Sequence, residues 1–253
     1  MSALEEKRRV LIELSHDLGA EHRHLAILGE GNTSARLSDE TFLVKASGSS
    51  LGTLGEADVV ECRFAPLLAL MEKRNAGGEE IEEVLFGARV DSEAKKPSIE
   101  ALFHAWLLSL PGVGFVGHTH PVAVNAILCS PQAEQFARHR IFPDEVVCCG
   151  TSSVFVPYAD PGLKLSQSIA RETLQWQEIN GTTPRVILLK SHGIITLGAS
   201  PAAVKAAMFM AVKAAQIFGG AVALGGPVVL TADQVSSIAG RPDEHHRQRA
   251  LNL

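Results

Sequence analysis

The sequence predicts a layered fold of the α/β or α+β class, with a β-sheet in the interior. Short apolar runs typical of buried strands alternate along the chain with longer stretches of helical periodicity. The 253 residues are 46% hydrophobic and 20% charged, which suffices for a sizeable core. No repeat, low-complexity segment or linker divides the chain, so residues 1–253 are predicted to form one domain.

The chain is predicted to begin with a helix and to continue into two loops rich in glycine and hydroxyl groups. Helical periodicity covers residues 3–19 and ends at Gly19. The loops are residues 29–34 and 46–50, and a predicted strand, Thr41–Lys45, leads into the second. Because backbone N–H groups and hydroxyls donate hydrogen bonds, the two loops suit an anion.

The remaining elements alternate in the same way. A strongly apolar helix over residues 101–110, opened by Pro97-Ser98-Ile99-Glu100, leads directly into a short strand that ends in His118-Thr119-His120. Periodicity predicts further helices at 66–71, 81–86, 122–129, 162–178 and 201–218, and further strands at 146–149, 154–156, 185–189 and 194–197.

His118 and His120 suggest a metal site. Side chains at positions i and i+2 of a strand point the same way, so both imidazoles can meet one ion. Lys190-Ser191-His192-Gly193 offers a third histidine, and three neutral imidazoles leave the open coordination position that a catalytic metal needs. A packing or hydrogen-bonding pair is the alternative interpretation of His118 and His120.

Glu100 begins the helix that feeds the histidine strand, so its carboxylate could return close to the ion and move a proton there. The alternative is a first-turn glutamate that the helix dipole favours. His104 follows one turn later on the same helix, and we interpret it as a buried, hydrogen-bonded histidine rather than a ligand.

Charge and composition limit the partners. The net charge of −5 and the lack of a long Lys/Arg run argue against nucleic acid as a partner. The sequence contains no run of about 18 apolar residues, which would be needed to predict a membrane span. The amino terminus lacks the apolar stretch of a secretory signal, which predicts a cytoplasmic protein. Four cysteines without metal-type spacing are predicted to be reduced and mostly buried. A small phosphorylated or acidic molecule is the expected substrate.

Five ordered motifs resemble those of the class II aldolase/adducin family over roughly residues 5–220. The resemblance implies a three-layer α/β/α fold with a mainly antiparallel central sheet, and usually a homotetramer with active sites at subunit interfaces. The motifs are Gly31-Asn32-Thr33-Ser34, Lys45-Ala46-Ser47-Gly48, Pro97-Ser98-Ile99-Glu100, His118-Thr119-His120 and Ser191-His192-Gly193.

The resemblance also assigns roles to matching residues. It makes Glu100 the acid/base and sometimes a metal ligand. The implied metal is generally zinc, although three imidazoles also accept manganese, cobalt or iron. The metal ligands would be His118, His120 and His192, and the substrate phosphate would be held by Asn32, Lys45, Ser47, Gly48 and Ser98.

Two departures from the family pattern keep the reaction open. Ile99 replaces a serine of the fuculose-phosphate aldolases, although rhamnulose-type members tolerate isoleucine here. The tyrosine that protonates the leaving aldehyde in those aldolases has no counterpart, because the corresponding residues 141–145 read Ile-Phe-Pro-Asp-Glu.

The first hypothesis is therefore an aldolase that cleaves a ketose 1-phosphate into dihydroxyacetone phosphate and an aldehyde through a metal-stabilised enediolate. Decarboxylation of a keto or aromatic acid is an alternative suggested by Ile99 with Lys45. Epimerisation of a sugar phosphate rests on Asp144 and Lys45, but the family's epimerases carry aspartate where this chain has Glu100. A non-catalytic scaffold like the adducin head is least favoured, since the three histidines and the glutamate are all present.

Overall fold

A seven-stranded sheet with helices on both faces forms the protein, seen in a computed structural model that describes residues 2–250. The strands are β1 (Asn32–Arg36), β2 (Thr41–Lys45), β3 (Val59–Arg63), β4 (Phe115–Thr119), β5 (Val154–Val156), β6 (Val186–Leu189) and β7 (Gly193–Gly198). Their order across the sheet is β3-β2-β1-β4-β7-β6-β5. Every neighbouring pair is antiparallel except β5 and β6, which are parallel.

Helices make up most of the remaining regular structure. They are α1 (Ala3–Leu18), α2 (Phe64–Met71), α3 (Gly78–Gly87), α4 (Ala101–Ser109), α5 (Val122–Leu128), α6 (Ala133–Arg138), α7 (Pro143–Cys149), α8 (Leu163–Asn180), α9 (Pro201–Ala223), α10 (Ala232–Ala239) and α11 (Pro242–Ala250). The first of them begins at a capping box, in which Ser2 and Glu5 each accept a hydrogen bond from the other's backbone N–H.

Two hydrophobic clusters lie on opposite faces of the sheet. One contains side chains of α1, α5, α6, α7 and α9, and the other those of α2, α3, α4 and α8. Successive residues of β4 alternate between them, since Phe115 belongs to the first cluster and Val116 to the second. The structure thus confirms the expected three-layer α/β/α fold with a mainly antiparallel sheet.

One predicted strand is wrong. Residues 146–149 belong to α7, which begins with Pro143 in its first turn and packs against α9. The apolar run Val-Val-Cys-Cys was too short to distinguish a buried strand from a buried helix by periodicity. Two strands went unpredicted, because β1 lies within a motif interpreted as a loop and β3 carries charged residues at alternate positions.

Helix α9 is long and apolar enough to cross a membrane by length and composition alone. It contacts β4, β7, α5 and α7, and seven of its side chains are buried in the first hydrophobic cluster. This one-sided burial is typical of a helix packed on a core sheet.

Candidate metal centre

The histidine motif lies in the middle of the sheet. His118 is completely buried on β4, opposite Asn32 of β1, and its ring meets the edge of Phe103 from α4. His120 follows one residue after the strand, and its Nε2 lies 2.9 Å from Nε2 of His118. The expected convergence of the i and i+2 side chains is therefore present.

A hydrogen bond at Nδ1 orients the ring of His118, and a carboxylate lies near Nδ1 of His120. His118 donates Nδ1–H to the carbonyl of Ile194 at 3.0 Å, which leaves its Nε2 lone pair facing the cluster. Nδ1 of His120 lies 3.8 Å from a carboxylate oxygen of Glu30. Outer partners of this kind hold a metal-binding imidazole in one tautomer and one orientation.

His192 enters from the tight turn between β6 and β7. The residue before it, Ser191, has a φ of +55°, and Asn125 of α5 donates to the His192 carbonyl at 2.9 Å. A Cβ on the following Gly193 would lie 2.6 Å from Cδ2 of His120 and 3.1 Å from Cε1 of His118. Glycine is required here because any side chain would push into both rings.

Glu100 approaches the same point from the start of α4. One of its carboxylate oxygens lies 3.3 Å from Nε2 of His118 and 3.8 Å from Nε2 of His192. Its backbone N–H donates to the hydroxyl of Ser98 at 3.3 Å. The side chain is 15% exposed, so it lies at the edge of the protein interior.

The four side chains fit a divalent cation. One ligand atom from each of Glu100, His118, His120 and His192 lies within 4.8 Å of all the others. Zinc–nitrogen bonds are about 2.0–2.1 Å long, so two tetrahedral imidazole ligands lie about 3.3 Å apart. Small side-chain rotations would bring these donors to that spacing, and the mixed nitrogen and oxygen set suits zinc and other transition metals.

The protonation states of three of the four donors favour ligation. Burial lowers the pKa of His120 and of His192 to about 4, so both imidazoles are neutral at pH 7. Burial acts against ionisation of Glu100 as well, but the neighbouring His118 outweighs it and lowers the pKa of Glu100 to about 2. Burial likewise lowers the pKa of His118, and the facing carboxylate more than compensates, so that pKa is raised.

The residues predicted to bind an anion lie in or next to three adjacent loops, which are residues 29–31, 46–50 and 96–98. Ser47 donates its backbone N–H to the carbonyl of Lys96 at 2.9 Å, which places the loop of Ser47 and Gly48 beside Ser98. Asn32 is completely buried, and its Nδ2 has no hydrogen-bond partner in the part of the chain that the structure describes. A buried donor without a partner, next to His118 across the strands, is a feature that a bound oxygen ligand would explain.

Lys45 is more deeply buried than its predicted role in binding the substrate phosphate suggested. The side chain is 2% exposed, and Nζ donates to the carbonyl of Ser49 at 2.6 Å and, more weakly, to those of Gly29 and Ala46 at 3.4 Å. Burial lowers the pKa of Lys45, partly offset by the charges of Glu100 and Asp58. The ammonium group thus joins the two glycine-rich loops.

Two supporting residues were not found from the sequence. Glu30, between two glycines, lies 3.8 Å from Nδ1 of His120, and Asn125, on α5, donates to the backbone carbonyl of His192. No motif signals such roles for single polar residues. Asp144, on which the epimerase alternative rests, lies in the first turn of α7 with Nζ of Lys213 at 4.0 Å and is not one of the clustered donors.

A family comparison agrees with this geometry. The family described as Class II Aldolase and Adducin N-terminal domain matches residues 9–218. This chain belongs to that family. The four clustered side chains and the three loops all lie within the matched region.

The names of related proteins refer to several different reactions. The methylthioribulose-1-phosphate dehydratase of Pseudomonas syringae pv. syringae is 34% identical over 178 residues, 66% of this chain and 72% of that protein. The 3-oxo-tetronate 4-phosphate decarboxylase of Haemophilus influenzae is 30% identical over 179 residues, 70% of each. The uncharacterized oxidoreductase YuxG of Bacillus subtilis is 30% identical over 196 residues, which are 74% of this chain but only 26% of YuxG.

A solved structure of an L-fuculose 1-phosphate aldolase superposes with a TM-score of 0.69, covering 92% of this chain and 94% of the other at 18% identity. At that identity the likeness shows the shared fold. The dehydratase and the decarboxylase are named for lyase reactions on phosphorylated compounds, so the family supports lyase chemistry without selecting one reaction.

Proposed function

We propose that the protein is a divalent-metal lyase that cleaves a ketose 1-phosphate into dihydroxyacetone phosphate and an aldehyde. The observation that carries this proposal is the Glu100 carboxylate beside Nε2 of His118 and of His192, at 3.3 and 3.8 Å. His118, His120 and His192 would hold the ion, zinc by preference, with manganese, cobalt and iron as alternatives.

A bound divalent cation supplies Lewis-acid stabilisation of negative charge on the ketone and adjacent hydroxyl oxygens of a substrate. Breaking the bond between C3 and C4 requires the C4 hydroxyl to lose its proton and leaves an electron pair on C3. Because Glu100 is ionised at pH 7, it would first accept the hydroxyl proton and then deliver it to C3. Because Glu100 is largely buried, a substrate that covers its remaining 15% exposure would exclude water from this transfer.

The substrate phosphate is assigned to the three loops beside the cluster. The proposed donors are the hydroxyls of Ser47 and Ser98, the backbone N–H of Gly48 and Nδ2 of Asn32, because the Ser47 N–H already donates to the carbonyl of Lys96. Lys45 adds positive charge beside these loops, since its ammonium group donates to the carbonyls of Gly29 and Ser49.

A homotetramer with active sites at subunit interfaces is also part of the proposal. Large apolar side chains are exposed next to His120, where its backbone N–H donates to the carbonyl of Leu25. Ile27, Leu28 and Val122 are 58%, 86% and 61% exposed. Such a patch suits contact with a second copy that would supply the aldehyde-binding side of the active site.

We also propose that the protein acts in the cytoplasm.

A second candidate keeps the same enediolate but carries out a different reaction. Decarboxylation forms the enediolate by loss of carbon dioxide, whereas dehydration forms it by removal of a proton from C3 and then expels the C4 hydroxyl as water. Relatives at 34% and 30% identity are named a dehydratase and a decarboxylase of phosphorylated compounds. The only tyrosine, Tyr158, is 60% exposed with its hydroxyl 3.5 Å from Asp160, so it is not packed against the cluster as a second proton donor within the chain. Both eliminations suit a site with one dedicated proton-transfer group.

A product assay separates these reactions. The zinc-loaded protein is incubated with a panel of ketose 1-phosphates and phosphorylated keto acids, and dihydroxyacetone phosphate, carbon dioxide and dehydrated product are measured. We expect dihydroxyacetone phosphate and an aldehyde, and at least a thousandfold loss of turnover in Glu100→Gln, with zinc content unchanged. Carbon dioxide or dehydrated product without dihydroxyacetone phosphate would select the second candidate. Full activity of Glu100→Gln would refute the role of Glu100.

A further inference from the structure

His104 lies close to the centre but is not one of its clustered donors. It follows Glu100 by one turn of α4, is completely buried, and stacks on Phe103 with ring centroids 4.7 Å apart. The predicted burial and hydrogen bonding of His104 are confirmed, because Nδ1 lies 2.7 Å from the hydroxyl of Ser34 on β1.

The serine determines which nitrogen carries the proton. Burial lowers the pKa of His104 to about 3, so the ring is neutral and holds one proton. Among the described residues, Nδ1 of His104 is the one acceptor within reach of the Ser34 hydroxyl. If Nδ1 were the donor, the hydroxyl hydrogen would be buried without a partner, which is costly. The hydroxyl therefore donates to Nδ1, and the proton is on Nε2.

Nε2–H is thus a fixed donor inside the protein. Within residues 2–250 it has no hydrogen-bond partner, although the atom is buried. The groups close enough to influence the charge of the ring are Glu100, His118 and Lys45, of which Glu100 is the one anion and therefore the strongest acceptor. A helical side chain tilts toward the amino terminus, so residue 104 leans back toward residue 100.

We propose that His104 is a positioning residue, whose Nε2–H holds the Glu100 carboxylate through one bridging water while Ser34 holds the ring. No direct hydrogen bond joins the two side chains, and a bridging water replaces such a bond with little loss of strength. The bridge directs one carboxylate oxygen toward His118 and His192. This inference rests on the proposed role of Glu100 and extends it to a supporting pair that no motif contains.

The tautomer can be measured directly. Long-range proton–nitrogen NMR of the metal-free protein, labelled at histidine, identifies the protonated nitrogen of each ring. We expect an Nε2–H tautomer for His104 in the parent, and a mixture of tautomers in Ser34→Ala. An Nδ1–H tautomer in the parent would overturn the proposal.

The link to Glu100 is tested by the visible absorption of the cobalt(II)-loaded protein, which reports the surroundings of the ion. We expect His104→Leu to shift the absorption bands and His104→Gln, which keeps an N–H donor, to restore them. We also expect kcat to fall roughly 10–100-fold in His104→Leu with KM unchanged, as other supporting residues of metal sites do. Identical spectra of parent and His104→Leu would overturn the proposal. Failure of His104→Gln to restore them would do so as well.

Thr173→Val is the matched control. The Thr173 hydroxyl on α8 is another buried group without a partner in the described chain, but its helix contributes no side chain to the centre. We expect this variant to keep the parent's cobalt spectrum, and a shift equal to that of His104→Leu would overturn the proposal. Neither spectroscopic readout needs a substrate, so both decide the role of His104 even if the lyase assay is negative.

Discussion

Two buried carboxylates, those of Glu145 and Glu100, lie in contrasting polar surroundings. Glu145 faces Arg140 at 3.6 Å, and both side chains are almost fully buried. Glu100 faces imidazoles instead of a guanidinium. Burial raises the pKa of Glu145 in spite of the arginine, whereas His118 overcomes burial and lowers the pKa of Glu100 to about 2.

The two surroundings differ most in how well their hydrogen bonds are satisfied. Arg140 donates to the carbonyls of His139, Cys149 and Gly150 and to the hydroxyl of Ser153, while Glu145 accepts from a backbone N–H. Around the candidate centre, by contrast, Nδ2 of Asn32, Nε2 of His104 and Oδ1 of Asn125 are buried without a partner among the described residues. A hydrogen-bond network in which every buried polar group has a partner stabilises the fold. One in which buried groups lack partners is suited to a ligand, because the ligand can supply them.

Breaking the complete network should have the largest effect. Arg140→Met leaves Glu145 buried without its cation, so we expect the free energy of unfolding to fall by about 3–5 kcal/mol. Urea denaturation of the metal-free protein measures this, and Arg138→Met is the control. Arg138 forms an exposed ion pair with Glu134, so its loss should cost less than about 1 kcal/mol. Equal losses in the two variants would refute the structural role of the buried pair.

Disturbing the candidate centre should affect ligand binding more than stability. In Gly193→Ala the new Cβ meets Cδ2 of His120 at 2.6 Å, so we expect zinc affinity to fall roughly 10–100-fold. Competition with a chromophoric chelator measures the affinity. Gly220→Ala is the control, because nothing lies within 4 Å of its Cβ on the exposed side of α9, and it should gain up to about 1 kcal/mol in stability. Unchanged zinc affinity in Gly193→Ala would contradict the packing described.

Acid should affect stability with opposite signs through the protonation of different buried groups. His120 and His192 have a pKa of about 4 when folded, against an ordinary 6.5, so between these values the unfolded chain binds protons that the folded chain excludes. Stability of the metal-free protein should therefore fall as pH falls, by about 1 kcal/mol per histidine at pH 5.5. The raised pKa of His118 and of Glu145 act in the opposite sense.

The double variant His120→Gln/His192→Gln tests this assignment. It removes the two groups whose protonation is suppressed by folding, so its unfolding free energy, measured in urea from pH 7 to 5, should decrease less than that of the parent. A decrease as large as the parent's would show that other groups cause the acid sensitivity.

The sequence predicted the parts of the centre that depend on local geometry. The shared direction of His118 and His120 follows from strand alternation. The apolar helix that feeds the strand made Glu100 a candidate, but its position alone left the helix-dipole alternative open until the family resemblance assigned a role. The helix at 143–149 could not be predicted, because packing against α9 decides the conformation of a short apolar run. The buried position of Lys45 and the Ser34–His104 pair depend on contacts distant in sequence, which no spacing reveals.

The central claim is that these histidines hold a divalent ion. Equilibrium dialysis against zinc at pH 7, followed by metal analysis, tests it in the parent, His118→Gln and the exposed-site control His139→Gln. We expect about one tightly bound ion per chain in the parent and in His139→Gln. His118→Gln, verified as folded by circular dichroism, should lose that ion. Equal zinc content in His118→Gln and the parent, or no bound zinc in the parent, would contradict the account.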